Sequence, residues 1–115
     1  MDFEHMCPKY EKAMSILGKK WTGLILRCLM DRPRRFTEIS EYVDGISDRL
    51  LSQRLQDMEE MDIVERRVHA GRPVSVGYLL TAKGQALKDV VEAIQLWAED
   101  WVPMPESEEV QVRGK

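Results

Sequence analysis

The chain reads as a mainly α fold with a small β-hairpin, and three observations carry that expectation. From Ile46 to Met61, apolar and polar residues separate onto two arcs at helical spacing, behind a good cap at Ser47. Directly after come two short β-rich stretches, Ile63 to Val68 and Val74 to Leu80, joined by the loop His69-Ala70-Gly71-Arg72-Pro73. Upstream, further helical stretches are divided by tight turns. Three helices, a hairpin and a flanking helix at each end compose a winged helix-turn-helix with N- and C-terminal dimerisation helices.

Taken in order, Pro8 at the first helical position, with Cys7 as cap, opens a helix to Leu17 that carries Tyr10, Met14 and Leu17 on one stripe. Gly18 ends it. Trp21 to Met30 repeats Trp21, Leu24, Ile25, Cys28 and Leu29 at three- and four-residue spacing, the pattern of a central core helix. Asp31-Arg32-Pro33 is a turn. Thr37 to Val43 makes a short helix with Ile39 and Val43 facing inward. After the Asp44-Gly45 turn, Ile46 can staple onto Leu51 at the start of the next helix. There Leu50, Leu51, Leu55, Met58 and Met61 share one arc, and Arg49, Ser52, Gln53, Gln56 and Glu60 lie opposite. The helices from Thr37 and from Ser47 are the two arms of the turn motif, and the loop around Arg72 is the wing. Thr81 caps one long final helix, Ala82 to Trp101, closed by Pro103 and Pro105. Residues 1–102 are expected to form one domain and 103–115 a flexible acidic tail.

At 115 residues, 43% hydrophobic and 32% charged, the chain can bury a single core. No apolar run approaches the roughly 20 residues that span a bilayer, and the start lacks a signal-peptide pattern, so a cytoplasmic protein without membrane contact is expected. Two cysteines do not make a disulfide framework. The net charge of −3 is unevenly spread. From Lys19 to Arg72 there are eleven Lys/Arg against ten Asp/Glu, and from Ala82 to Val112 two against seven. Nucleic-acid affinity follows local basic patches, so the total excludes nothing.

In this order and spacing, Cys7-Pro8, Gly18-Lys19-Lys20-Trp21, Pro33-Arg34-Arg35-Phe36-Thr37-Glu38-Ile39, Gly45-Ile46-Ser47, Leu51-Ser52-Gln53-Arg54-Leu55, Val64-Glu65-Arg66 and Tyr78-Leu79-Leu80-Thr81 resemble the HxlR-type regulators, a MarR-like winged-helix family. The resemblance covers about Cys7 to Trp97. It implies a homodimer that binds inverted-repeat operators in double-stranded DNA, as a repressor more readily than an activator. It also implies that the cysteine at the position of Cys7 senses electrophiles or oxidants in several members. Three departures stand out. Arg32 and Asp62 replace usual turn glycines, Gly77 replaces an acidic wing residue, and the C-terminal helix has no cysteine to bridge to.

Arg49, Ser52, Gln53 and Gln56 are the expected base readers, because Arg pairs with guanine and Gln with adenine through two hydrogen bonds. Arg54 falls on the apolar arc, so an internal ion pair, with Glu38 or Glu59, is expected of it instead. Arg34, Arg35 and Thr37 at the start of the first arm suit phosphates, and Arg72 suits the minor groove or its phosphates. Cys7 caps a helix, where the dipole favours thiolate. Quinones, aldehydes, peroxides or low-molecular-weight thiols are its candidate partners, and a small packing residue is the alternative. Cys28 is expected in the core. Leu87, Val91, Ile94, Trp97 and Trp101 form the expected dimer face. No zinc spacing links His5, Cys7, Cys28 and His69, and neither a catalytic set nor a cofactor loop is present. A winged helix gated by a small ligand or partner protein, with Cys7 structural, is the alternative function.

Overall fold

Ile25, Leu26, Cys28 and Leu29 are all buried, and they make one helix the centre of the molecule. In the computed structural model, which describes residues 1–105, the order is α1 (Pro8–Leu17), α2 (Thr22–Leu29), β1 (Arg34–Arg35), α3 (Phe36–Tyr42), α4 (Asp48–Glu60), β2 (Val64–His69), β3 (Ser75–Leu80), α5 (Ala82–Gln85) and α6 (Lys88–Trp101). Around α2 the core gathers Ile39 and Val43 beside α3, Leu51, Leu55 and Met58 from α4, and Ile63, Val64, Tyr78 and Leu80 around the sheet. Each such side chain contributes about 1.5–3 kcal/mol when taken fully out of water. Leu24, expected on the inward stripe of α2, is instead half exposed.

Two features differ from the sequence expectation. The hairpin is extended into a three-stranded antiparallel sheet, ordered β1-β3-β2. Arg34 pairs with Tyr78 and Arg35 with Gly77, so β1 covers an edge of β3 that would otherwise expose unpaired backbone groups. The final helix is also not continuous. The Thr81 hydroxyl accepts the Gly84 N–H at 3.1 Å and donates to the Asp62 carbonyl at 2.6 Å, which fastens α5 to the start of β2. At Ala86 and Leu87 the helix gives way to a turn within the right-handed region, the Leu87 N–H donating to the Gly84 carbonyl at 3.0 Å, and Leu87 packs against the core before α6 begins.

The wing loop connects β2 to β3, and its register runs from Val64 opposite Leu80 to His69 opposite Ser75. Of the expected tail, residues 103–105 have no helix or strand, and residues 106–115 lie outside the described residues. Among the described residues, no helix is long and apolar enough to cross a membrane.

Candidate nucleic-acid interface and the Cys7 thiol

α4 follows α3 through the Asp44-Gly45 turn, in which Gly45 holds φ +94°, a conformation that favours glycine. Ser47 caps α4 by accepting the Leu50 N–H at 3.1 Å. With Leu51, Leu55 and Met58 fully buried, the opposite face is turned to solvent, and Arg49, Ser52, Gln53 and Gln56 are all exposed on it. Gln53 is not loose: its Nε2 donates to Asp57 Oδ1 at 2.9 Å.

Arg54 turns inward as expected, but to other partners than Glu38 or Glu59. Its Nε donates to the Lys20 carbonyl at 3.0 Å, and its Nη1 lies 3.5 Å from Asp57 Oδ2. Glu38 is engaged elsewhere, accepting the Arg35 N–H at 2.9 Å and facing Arg32. That backbone hydrogen bond, helped by the nearby arginines, holds the Glu38 carboxyl below the usual carboxylate range.

The start of α3 is therefore less open to a phosphate than the sequence suggests, since a carboxylate already occupies one of its amides. Arg34 does not fit a phosphate-holding role either. Its Nε donates to the Cys28 carbonyl at 3.1 Å, its Nη2 pairs with Asp31, and its guanidinium lies 5.9 Å from the Tyr42 ring centre. These bonds tie β1 to the end of α2. Arg35, Thr37 and the wing residue Arg72 are exposed.

Cys7 is exposed at the cap of α1, where its carbonyl accepts the Glu11 N–H at 2.9 Å. Beside it, Pro8, Lys9 and Lys12 line one wall of a crevice of about 680 Å³, faced by Met61, Ile63 and Lys83. Cys28 is fully buried in the core as expected, and burial pushes its thiol pKa up despite the nearby Arg34 charge.

Of the expected dimer residues, Ile94, Trp97 and Trp101 are 62%, 59% and 74% exposed, whereas Leu87 and Val91 pack partly against their own core. Sequence reasoning missed two polar groupings. The Gln53–Asp57 pair had a signal, its i,i+4 spacing. Arg27, which donates to Gln95 of α6 at 3.1 Å and to the Tyr42 hydroxyl, had none, because Gln95 is 68 residues away.

The HxlR-like helix-turn-helix family pattern matches residues 16–106. The HTH-type transcriptional regulator YodB of Bacillus subtilis is 50% identical over 96 residues, covering 84% of this chain and 86% of YodB. The solved reduced form of YodB superposes with a TM-score of 0.75 at 48% identity, over 88% of this chain and 99% of that one. Its quinone-bound form gives 0.73 at 48%, over 84% and 100%. The redox regulator HypR in its oxidised form gives 0.80 at 31% identity, over 85% and 100%. The chain belongs to the HxlR-like helix-turn-helix family of transcriptional regulators.

Proposed function

We propose that this protein is a DNA-binding repressor that sits as a homodimer on an inverted-repeat operator and uses Cys7 to sense electrophiles or oxidants. The observation that carries the reading is the outer face of α4, with Arg49, Ser52, Gln53 and Gln56 exposed over a fully buried apolar face. That helix enters the major groove, while Arg35 and Thr37 meet phosphates and Arg72 of the wing reaches the adjacent minor groove. Two copies pair through Ile94, Trp97 and Trp101, above Leu87 and Val91, which places the two α4 helices about 34 Å apart, one DNA turn.

The exposed Cys7 thiol, together with the quinone-bound form of the related YodB, supports thiol-based sensing. With a quinone, the Cys7 thiolate forms a sulfur–carbon bond to the ring. The displaced electron pair moves to one quinone oxygen, which takes up a proton. The ring C–H bond at the attacked carbon then breaks, its pair returns the ring to aromaticity and the second oxygen takes up a proton, so a hydroquinone thioether results without an outside oxidant.

A second reading, a regulator gated by a bound small molecule, is favoured by the crevice beside α1, whose volume falls in the range of ligand sites. Fluorescence anisotropy on DNA from upstream of the protein's own gene, before and after a quinone or diamide, separates the two. Tight binding that is lost on treatment but kept in Cys7→Ser is the expected outcome. Binding indifferent to both reagents removes the sensing role and leaves the ligand-gated reading.

A further inference from the structure

We infer that Asp57 positions the Gln53 carboxamide with its oxygen facing outward, so that Gln53 selects a base offering an amino group, adenine before cytosine. The inference rests on the reading that the outer face of α4 enters the major groove.

Asp57 lies one helical turn beyond Gln53 on the same face. Its Oδ1 accepts from Gln53 Nε2 at 2.9 Å, and its Oδ2 faces Lys19 Nζ at 3.2 Å and Arg54 Nη1 at 3.5 Å. Arg54 is tied in turn to the Lys20 carbonyl at 3.0 Å. The side chains of Asp57 and Arg54 are each 19% exposed, so the carboxylate is held from two sides in a partly buried setting.

Burial alone would raise the Asp57 pKa. The hydrogen bonds from Gln53 and Lys19, with the charges of Lys19 and Arg54, outweigh it and keep the group below the ordinary carboxylate range. At neutral pH it is therefore an acceptor only.

That settles the orientation of Gln53 by chemistry. An ionised carboxylate has no proton to give, so the end of the carboxamide that meets it is the NH₂, and Oε1 is turned the other way. A glutamine free to rotate can offer either end to DNA, whereas this one leads with an acceptor. In the major groove only adenine N6 and cytosine N4 are donors, while guanine and thymine present oxygens there. The second Nε2 hydrogen remains available for adenine N7, which completes a two-bond pair with adenine and not with cytosine.

The test is enrichment of duplexes from a random-sequence pool by the full-length protein, its Gln53→Ala, Asp57→Asn and Asp57→Glu variants, each checked for a cooperative thermal transition. The wild type should enrich adenine, then cytosine, at one position of each half-site by roughly fivefold or more. Gln53→Ala should lose that preference and keep the rest of the site. Asp57→Asn, whose amide can meet either end of Gln53, should lose it at the same position, and Asp57→Glu should partly restore it. Asp57→Asn enriching the same base as the wild type overturns the positioning role while leaving the DNA reading intact. Gln53→Ala enriching an unchanged site overturns both Gln53 as a reader and the inference built on it.

Should Asp57→Asn fail to fold, NMR of the wild type decides. The Gln53 side-chain amide protons should shift as Asp57 titrates, and protons that stay fixed through that titration overturn the contact.

Discussion

Asp62 holds φ +59° in the turn between α4 and β2, a conformation that costs residues with a Cβ about 1–2 kcal/mol, less for Asp than for most. Its carbonyl, rather than its side chain, is what the fold uses, accepting the Thr81 hydroxyl. Asp62→Gly is therefore expected to stabilise the protein by about 0.5–1 kcal/mol, seen as a higher urea midpoint at unchanged slope. Arg32, the other position where the family usually has glycine, does not have a positive φ, so Arg32→Gly should bring no such gain.

Asp57 yields a pH prediction. Its folded pKa is depressed, so its contribution is present above the unfolded carboxylate value of about 4 and is lost as pH falls through the folded value. The wild type should exceed Asp57→Asn in stability at pH 7, and the gap should narrow in urea titrations as pH falls below the ordinary carboxylate range. At this scale the sequence tells which side chains of α4 face outward, because helical period alone decides that. It does not tell that Arg54 meets Asp57 and the Lys20 carbonyl, since a period gives a direction and not a partner.

Among the elements, α5 is set by one glycine. A Cβ at Gly84 would lie 2.3 Å from the Ile63 carbonyl oxygen, and that oxygen also accepts the Thr81 N–H. Gly84→Ala should destabilise the protein by about 1–3 kcal/mol, measurable as a lower thermal midpoint, because backbone rather than a pliable side chain must move. Helices α1 to α4 and the hairpin were legible from caps, turns and periodicity. The break between α5 and α6 was not, because Leu87, which lies in it, keeps a helical spacing with Val91, Ile94 and Trp101 of α6. β1 was hidden as well: two arginines before Phe36 look like a turn until the edge of β3 is available to pair with them.

The described residues extend beyond a closed globule. Their Cα radius of gyration is 16.8 Å, against about 13 Å for a compact domain near this length. α6 has no buried residue, and its indole rings stand in solvent. Under the homodimer proposal, Ile94→Glu with Trp101→Glu should give a monomer in light scattering and weaken operator binding at least tenfold, with the helical circular dichroism retained. Arg72→Ala should leave the dimer intact and lower the salt slope of DNA binding by about one unit; an unchanged slope takes the wing arginine off the DNA. The outward face of α4 was legible in the sequence because it lies on one helix. The Arg27 link between α6, α2 and α3 was not, being made only when segments distant in sequence meet.

The packing of α1 on the core rests on Ile16 and Leu17 in its last turn, and the crevice runs along it as far as Pro8, next to Cys7. At the rise of an α-helix, the ten residues of α1 set Cys7 about 15 Å from the Gly18–Trp21 junction. Over that length a tilt of about ten degrees would displace the sulfur by nearly 3 Å. Under the sensing proposal, an adduct on Cys7 would act through that arm on Lys19 and Lys20, whose ammonium and carbonyl hold Asp57 and Arg54 of α4.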